Sequence, residues 1–75
     1  MGKSKLVIKN RIRALRFQAD EMTQQDLANR VGVSRQTVNA IEAAKYSPSL
    51  EVAFQIAAVF GCSVDDVFWR DDLGS

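Results

Sequence analysis

The sequence predicts an all-α domain of five short helices, in which segments near the two ends of the chain pair as a small two-stranded antiparallel ribbon. Apolar residues recur at helical spacing in several short segments. A serine or threonine stands before most of these segments, where its hydroxyl can accept an N–H of the first turn. Gly32, Pro48 and Gly61 fall between segments, at positions where a helix must end. The 75 residues are expected to form one domain, 1–75.

The overall composition is that of a folded domain rather than a disordered tail. Apolar residues make up 47% of the chain and charged residues 25%. No apolar run approaches the roughly 20 residues that span a bilayer, and the basic start lacks an apolar signal-peptide core. We therefore expect a cytoplasmic protein that does not associate with membranes.

Side chains suited to catalysis are scarce. Cys62 is the only cysteine and histidine is absent, so an internal disulfide, a zinc site or a Ser–His–Asp triad cannot be assembled. Cys62 is expected to be a small packed residue. The sequence thus predicts no enzymatic activity, no metal and no cofactor.

The net charge of +1 conceals an uneven distribution. Residues 1–45 carry nine basic and four acidic side chains, whereas residues 46–75 carry one basic and five acidic side chains. A molecule with one positive face suits a polyanion and disfavours binding it in the reverse orientation. A merely solvated surface could show the same division by chance, so this observation supports nucleic-acid binding without establishing it.

The predicted ribbon joins residues 5–9 (KLVIK) and 67–71 (VFWRD), which are rich in β-branched and aromatic residues. The alternative is that both segments are frayed helix or coil. Helix 1 is predicted over residues 10–19. Its inward stripe is Ile12, Leu15 and Ala19, and its outward residues are Arg11, Arg13 and Arg16. Phe17 lies off the stripe and either covers the ribbon or meets a partner surface.

Residues 23–42 have the pattern of two helices joined by a tight turn. Thr23 is a suitable N-cap for helix 2, and Asp26 three residues later can complete a capping box. The apolar face of helix 2 is formed by Leu27, Ala28 and Val31. Gly32 follows where the chain must turn, because glycine adopts a positive φ at the least cost. Val33 is expected to fill the angle between the two helices.

Helix 3 is predicted over about residues 35–43, with Ser34 as its N-cap, and its two faces differ in chemistry. Val38 and Ile41 face inward. The outward residues are Gln36, Asn39, Ala40 and Ala43, with Arg35 beside them at the N-terminal end. Glutamine and asparagine can bond adenine N6 and N7, arginine can bond guanine O6 and N7, and alanine leaves room for a thymine methyl. The outward face therefore predicts base reading, although an ordinary solvated polar face could carry the same amides.

Helix 4 is predicted over residues 50–60, with Ser49 as its N-cap and Gly61 at its end. Its inward residues at helical spacing are Leu50, Ala53, Ile56, Ala57 and Phe60. Ser63 is expected to cap helix 5, over residues 64–68, with Asp66 completing a capping box.

The segments TQQDLA, VGVSRQTV, KYSPSLEVAFQIA and FGCSVDDVF, within residues 12–68, resemble the Cro/C1-type (Xre) phage-repressor family of helix-turn-helix regulators. In its small size the chain is similar to the single-domain cytolysin-operon repressor type. The resemblance implies a five-helix phage-repressor-like fold with the terminal ribbon, and sequence-specific binding of double-stranded DNA by a transcriptional regulator, most simply a repressor. Those relatives usually have Asn-Gly after helix 3. Here Ala43 and Ala44 occupy that place, which implies a change in the backbone contact to phosphate that the Asn-Gly turn offers in the family. The alternative is that helix 3 simply continues, because alanine favours helix.

The resemblance and the outward face together assign candidate DNA contacts. Helix 3 would enter the major groove with its N-terminus first. The expected base-edge contacts are Arg35, Gln36, Asn39 and Ala40. The expected phosphate contacts are Gln24, Ser34, Thr37 and Lys45, with Arg11 and Lys9 as weaker candidates.

A homodimer on a pseudo-palindromic operator is expected, because one small domain reads only a few base pairs. The expected interface residues are Leu50, Val64 and Phe68, each of which could equally be ordinary core. The competing interpretation is a protein-interaction module of the same fold, either an antitoxin or an accessory subunit.

Overall fold

The computed structural model describes residues 7–71, which form five helices between two short strands. In chain order the elements are β1 (Ile8–Asn10), α1 (Ile12–Gln18), α2 (Gln24–Val31), α3 (Arg35–Glu42), α4 (Leu50–Val59), α5 (Val64–Val67) and β2 (Phe68–Arg70). The predicted fold class, five helices with a terminal ribbon, is confirmed. None of the helices in this range is long and apolar enough to cross a membrane.

The ribbon pairs β1 and β2 antiparallel, with Lys9 opposite Trp69. The described first strand, Ile8–Asn10, ends one residue beyond the predicted segment, of which residues 5 and 6 lie outside the described residues. Asn10 accounts for the later start of α1. Its side-chain Oδ1 accepts the Ile12 N–H at 3.1 Å, and its Nδ2 donates to the Ile41 carbonyl at 2.9 Å. Asn10 is therefore the last residue of the strand, and its side-chain hydrogen bond to Ile41 connects the ribbon to the end of α3.

One apolar cluster joins the helices and the start of β2. Its six largest fully buried side chains are Ile12, Leu27, Val38, Ile41, Ile56 and Val67. This set includes residues that were predicted to face inward on the first three helices, namely Ile12 on α1, Leu27 on α2, and Val38 and Ile41 on α3. The prediction for α4 was wrong at Leu50, which is 72% exposed. This residue lies in the first turn of α4 and lines an open groove instead of the core.

Capping groups set the ends of the helices, as predicted. Thr23 and Asp26 form the reciprocal capping box of α2, with Oγ1 of Thr23 accepting the Asp26 N–H at 3.0 Å. Ser34 caps α3 by accepting the Thr37 N–H at 3.1 Å. Gly32 ends α2 with φ of 85°. A Cβ there would meet nothing within 4 Å, so the left-handed backbone, and not lack of space, explains the glycine.

α3 ends at Glu42, so the alternative of a longer helix is wrong. The Ala44 N–H donates to the Ile41 carbonyl at 3.0 Å and the Lys45 N–H donates to the Ala40 carbonyl at 2.9 Å, which is the Schellman pattern of a helix end. The pattern places Ala44 at φ of 60°. An alanine thus occupies a left-handed position that glycine would occupy with less strain.

Arg16 was predicted to face solvent, and this prediction is wrong, because its side chain is mostly buried. Its Nε donates to Oε2 of Glu42 at 2.6 Å and its Nη2 donates to Oε1 at 3.1 Å. Its Nη1 donates to the Met22 carbonyl at 2.8 Å. The two charged side chains are only 11% and 10% exposed. This bidentate pair connects α1, the link before α2, and the last residue of α3.

We predict that Ala44→Gly stabilises the domain by about 0.5–1 kcal/mol, because it relieves the left-handed strain of an alanine. Ala43→Gly is the matched control. Ala43 has φ of −80°, so its replacement should lower stability by a similar amount through greater freedom of the unfolded chain. Urea unfolding followed by circular dichroism measures both. A loss of stability in both variants would contradict the assigned turn.

We predict that Glu42→Gln lowers the free energy of unfolding by about 3 kcal/mol, because the mostly buried Arg16 charge loses its counter-charge. Glu51→Gln makes the same chemical change at an exposed site in the first turn of α4. It should cost less than about 1 kcal/mol. Equal urea midpoints for the two variants at one protein concentration would refute a structural role for the pair.

Candidate nucleic-acid interface

α3 has the two faces that its sequence predicts. Val38 and Ile41 are each 1% exposed and belong to the core. Arg35, Gln36 and Asn39 are exposed and Ala40 is half-buried. Within residues 7–71, the amides of Gln36 and Asn39 donate and accept no side-chain hydrogen bond. Their full donor and acceptor capacity is therefore available to a ligand.

The hydroxyls of Ser34 and Thr37 lie together at the start of α3. Their oxygens are 3.0 Å apart, and the Ser34 oxygen also accepts the Thr37 N–H. Only one of the two hydroxyl hydrogens can lie in the bond between them. The other remains free to donate outward, whichever residue carries it. This short cluster at a helix N-terminus can thus both cap the helix and offer a donor to an anion.

Gln24, the first residue of α2, is less free than the sequence suggested. Its Nε2 donates to Oε1 of Glu42 at 3.2 Å, which adds α2 to the network formed by Arg16 and Glu42. One N–H of the amide remains unused by this bond. Gln24 can still donate to an anion, and its position is now fixed by the end of α3.

Lys45 follows the Schellman turn that ends α3, and its side chain is exposed. Its backbone N–H is occupied by the Ala40 carbonyl. It makes no ion pair within the part of the chain that the structure describes. The turn therefore leaves the ammonium group of Lys45 without a local carboxylate, at the opposite end of α3 from Arg35.

An open cleft of about 870 Å³ lies between α1 and α3. We refer to it as the α1–α3 cleft. Its lining residues are Asn10, Arg11, Arg13, Ala14, Arg16, Phe17, Gln24, Asn39, Glu42 and Ala43. It brings together Gln24 and Asn39 with Arg11, a weaker phosphate candidate, whereas Arg35 and Gln36 lie outside its lining. Arg13 and Phe17 also line it. Arg13 was predicted only to face outward, and Phe17 was predicted either to cover the ribbon or to meet a partner surface.

The three predicted interface residues line a second, mostly apolar depression of about 320 Å³, the α4–α5 groove. Its lining residues are Ile8, Ser47, Pro48, Leu50, Ala53, Val64 and Phe68. Phe68 is only 8% exposed and so belongs to the core as well as to the groove. Phe54, one turn after Leu50 on α4, is 59% exposed and was not predicted as a surface residue. Because residues four apart lie on the same face of a helix, its spacing from Leu50 could have indicated that the two are exposed together.

Cys62 and the acidic residues of the described range are the side chains that could bind a metal ion, because thiolates and carboxylates are common metal ligands. Cys62 is half-buried and packs against the core, as the sequence predicted. No group of three or more His, Cys, Asp or Glu side chains within residues 7–71 could hold a metal ion.

Comparison with known proteins places this geometry in a family. The profile of the helix-turn-helix family matches residues 12–67. An uncharacterized HTH-type transcriptional regulator of Methanocaldococcus jannaschii is 48% identical over 65 residues, which are 87% of this chain and 97% of that protein. The uncharacterized HTH-type transcriptional regulator YgzD of Bacillus subtilis is 42% identical, with the same two coverages.

The fold also has a counterpart among solved structures. The crystal structure of a candidate DNA-binding protein from Bacteroides fragilis superimposes with a TM-score of 0.72, covering 83% of this chain and 98% of that one. Its sequence identity of 22% supports a shared fold only. The sequence matches establish the family as well as the fold, because they span most of this chain and nearly all of the two relatives. The chain belongs to the Cro/C1-type helix-turn-helix family of transcriptional regulators.

Proposed function

We propose that the protein is a cytoplasmic repressor that binds a pseudo-palindromic DNA operator as a homodimer. The outward face of α3 is the main support for this proposal. It presents an arginine and two amides that have no side-chain partner within residues 7–71, on a helix whose other face is anchored in the core. A rigid helix with free donors and acceptors is what direct reading of base edges requires.

Base reading would use Arg35, Gln36, Asn39 and Ala40 after α3 enters the major groove with its N-terminus first. The amides can each make two hydrogen bonds to adenine, and the guanidinium can make two to guanine. Ala40 is small enough to approach a thymine methyl. These contacts supply the sequence preference, and each good pair contributes about 1–3 kcal/mol of discrimination.

Phosphate contacts would fix the register of α3 without reading sequence. Gln24 offers one amide N–H beside the free backbone donors at the start of α2. Ser34 and Thr37 share one available hydroxyl hydrogen, and Lys45 adds a positive charge after the other end of α3. The Glu42 carboxylate, which would otherwise repel DNA at this surface, has its charge balanced by Arg16.

A homodimer is proposed because a small domain gains from burying apolar surface against a second copy. Leu50 is 72% exposed and lines the α4–α5 groove with Val64 and Phe68. That groove shares no residue with the α1–α3 cleft. Two copies related by a two-fold axis would bury the same groove residues in both subunits, and their two α3 helices would read two half-sites. Repression then needs only occupation of a promoter.

The test of this function is a selection of random DNA duplexes by the purified protein, followed by sequencing, at two salt concentrations. The proposal predicts an enriched inverted repeat with half-sites about 34 Å, or one helical turn, apart. Enrichment of one half-site alone would retain DNA reading and contradict the dimer. Weak, salt-sensitive binding without enrichment would contradict sequence reading and favour the protein-interaction module.

Asn39→Ala should erode the preference for the selected duplex over a scrambled duplex about tenfold or more, because a two-bond contact to one base is lost. Gln36→Ala should behave in the same way. Both residues are exposed, so folding should be unaffected. Competition binding with the two duplexes measures the preference. An unchanged ratio in both variants would show that this face of α3 is not the base-reading surface.

Lys45→Ala is the complementary variant for a phosphate contact. It should weaken binding to the selected and the scrambled duplex by the same factor, leaving their ratio intact. It should also lower the slope of log affinity against log salt by about 0.9, the value for one neutralised phosphate. A variant with an altered ratio but an unchanged salt slope would reverse the assigned role of Lys45.

Leu50→Glu should convert the dimer to a monomer, because two copies would bring unpaired carboxylates into an apolar interface. The side chain is largely exposed in one subunit, so the monomer should keep its helical circular dichroism. Phe17→Ala, a change at another exposed apolar residue in the α1–α3 cleft, should leave the dimer intact. Light scattering after size exclusion measures the mass. A dimeric Leu50→Glu protein would place the interface elsewhere.

A further inference from the structure

α1 has an exposed cationic and aromatic pair that the proposed function does not use. The guanidinium carbon of Arg13 lies 5.7 Å from the centroid of the Phe17 ring, within the range of a cation–π contact. The two residues are four apart and share one face of the helix. Phe17 is 55% exposed and Arg13 is exposed. The ring therefore restricts the motion of the guanidinium group, while both side chains remain accessible to a ligand.

This pair faces the same cleft as the candidate base reader Asn39. Arg13 and Phe17 lie on the α1 side of the α1–α3 cleft, and Asn39 and Ala43 lie on its α3 side. Gln24, the candidate phosphate ligand at the start of α2, lines the cleft as well. A molecule that lies along the outward face of α3 and touches Gln24 therefore passes beside Arg13 and Phe17.

The charges in the cleft favour an anion. Its single carboxylate, that of Glu42, is paired with Arg16. Arg11 and Arg13 form no ion pair within residues 7–71. Two uncompensated guanidinium groups therefore remain on the α1 side of the cleft. Guanidinium groups suit phosphate particularly well, because their planar fork can bond two oxygens at once.

The dimensions of DNA indicate which anion would lie there. A helix with its side chains is about 10–12 Å across, and the major groove is about 12 Å wide. If α3 occupies the groove, a sugar–phosphate strand must run beside it, over the neighbouring helix. On the side of the cleft, that neighbour is α1.

We propose that Arg13 and Phe17 form a second DNA-backbone contact, in which Arg13 binds a phosphate of the strand beside α3 and Phe17 packs against the adjoining deoxyribose. This proposal rests on the proposed DNA-binding function. It extends the protein–DNA contact from the helix-turn-helix to α1. It also accounts for an exposed phenylalanine and for an arginine without an ion pair in the described range, on a helix whose other face is core.

Arg13→Ala should lower the slope of log affinity against log salt by about 0.9 on the selected duplex, because one phosphate contact is lost. The preference for the selected over a scrambled duplex should not change. Arg30→Ala is the matched control. Arg30 is exposed in the last turn of α2 and does not line the cleft, so its loss should leave the slope at the wild-type value.

Phe17→Leu tests the contribution of the aromatic ring separately from that of the Arg13 charge. Leucine keeps an apolar side chain but removes the ring that restricts the Arg13 guanidinium. Arg13 must then lose that freedom on binding, so affinity should fall about threefold at moderate salt with an unchanged salt slope. Arg13→Ala and Arg30→Ala proteins with equal slopes would overturn the proposed contact while the base-reading function stands. Failure of the wild-type protein to bind any duplex would overturn both proposals.

Discussion

The ion pair between Arg16 and Glu42 is the constraint on which the candidate interface depends. It is bidentate and almost removed from water, and Arg16 also bonds the Met22 carbonyl while Gln24 bonds the same carboxylate. Three helices are thereby fixed to one another next to the surface proposed to meet DNA. Because a buried charge without its partner is costly, the pair restricts the angle between α3 and the first two helices.

The two ends of α3 and its buried side determine which of its side chains face outward. Ser34 defines its first turn, and the Schellman turn through Ala44 defines its last. Between these ends the core side of α3 is fully buried, so the helix has no freedom to roll and expose different side chains. The strain accepted at Ala44 indicates that tertiary contacts, and not the local preference of alanine for helix, set the end of α3.

Features governed by residues close in sequence were predicted well, and so was the pairing of the two terminal strands, whereas the ion pair between Arg16 and Glu42 was not. The cap at Thr23, the turn at Gly32 and the two faces of α3 follow from local hydrogen bonding and helical periodicity. Arg16 was misplaced because periodicity treats an arginine as a surface residue, and its partner is 26 residues away. Leu50 was misplaced because its spacing fits the core stripe although the first turn of α4 borders an open groove. Periodicity gives the direction of a side chain but not what covers it.

Nuclear magnetic resonance can show at the level of single side chains whether the outward face of α3 reads DNA bases. The ¹⁵N-labelled protein would be titrated with the selected duplex and with a scrambled duplex of equal length. The side-chain amide signals of Gln36 and Asn39 should shift strongly with the selected duplex and much less with the scrambled one, whereas Lys45 should respond to both. Side-chain amide signals that remain unchanged at saturation with the selected duplex would contradict the account.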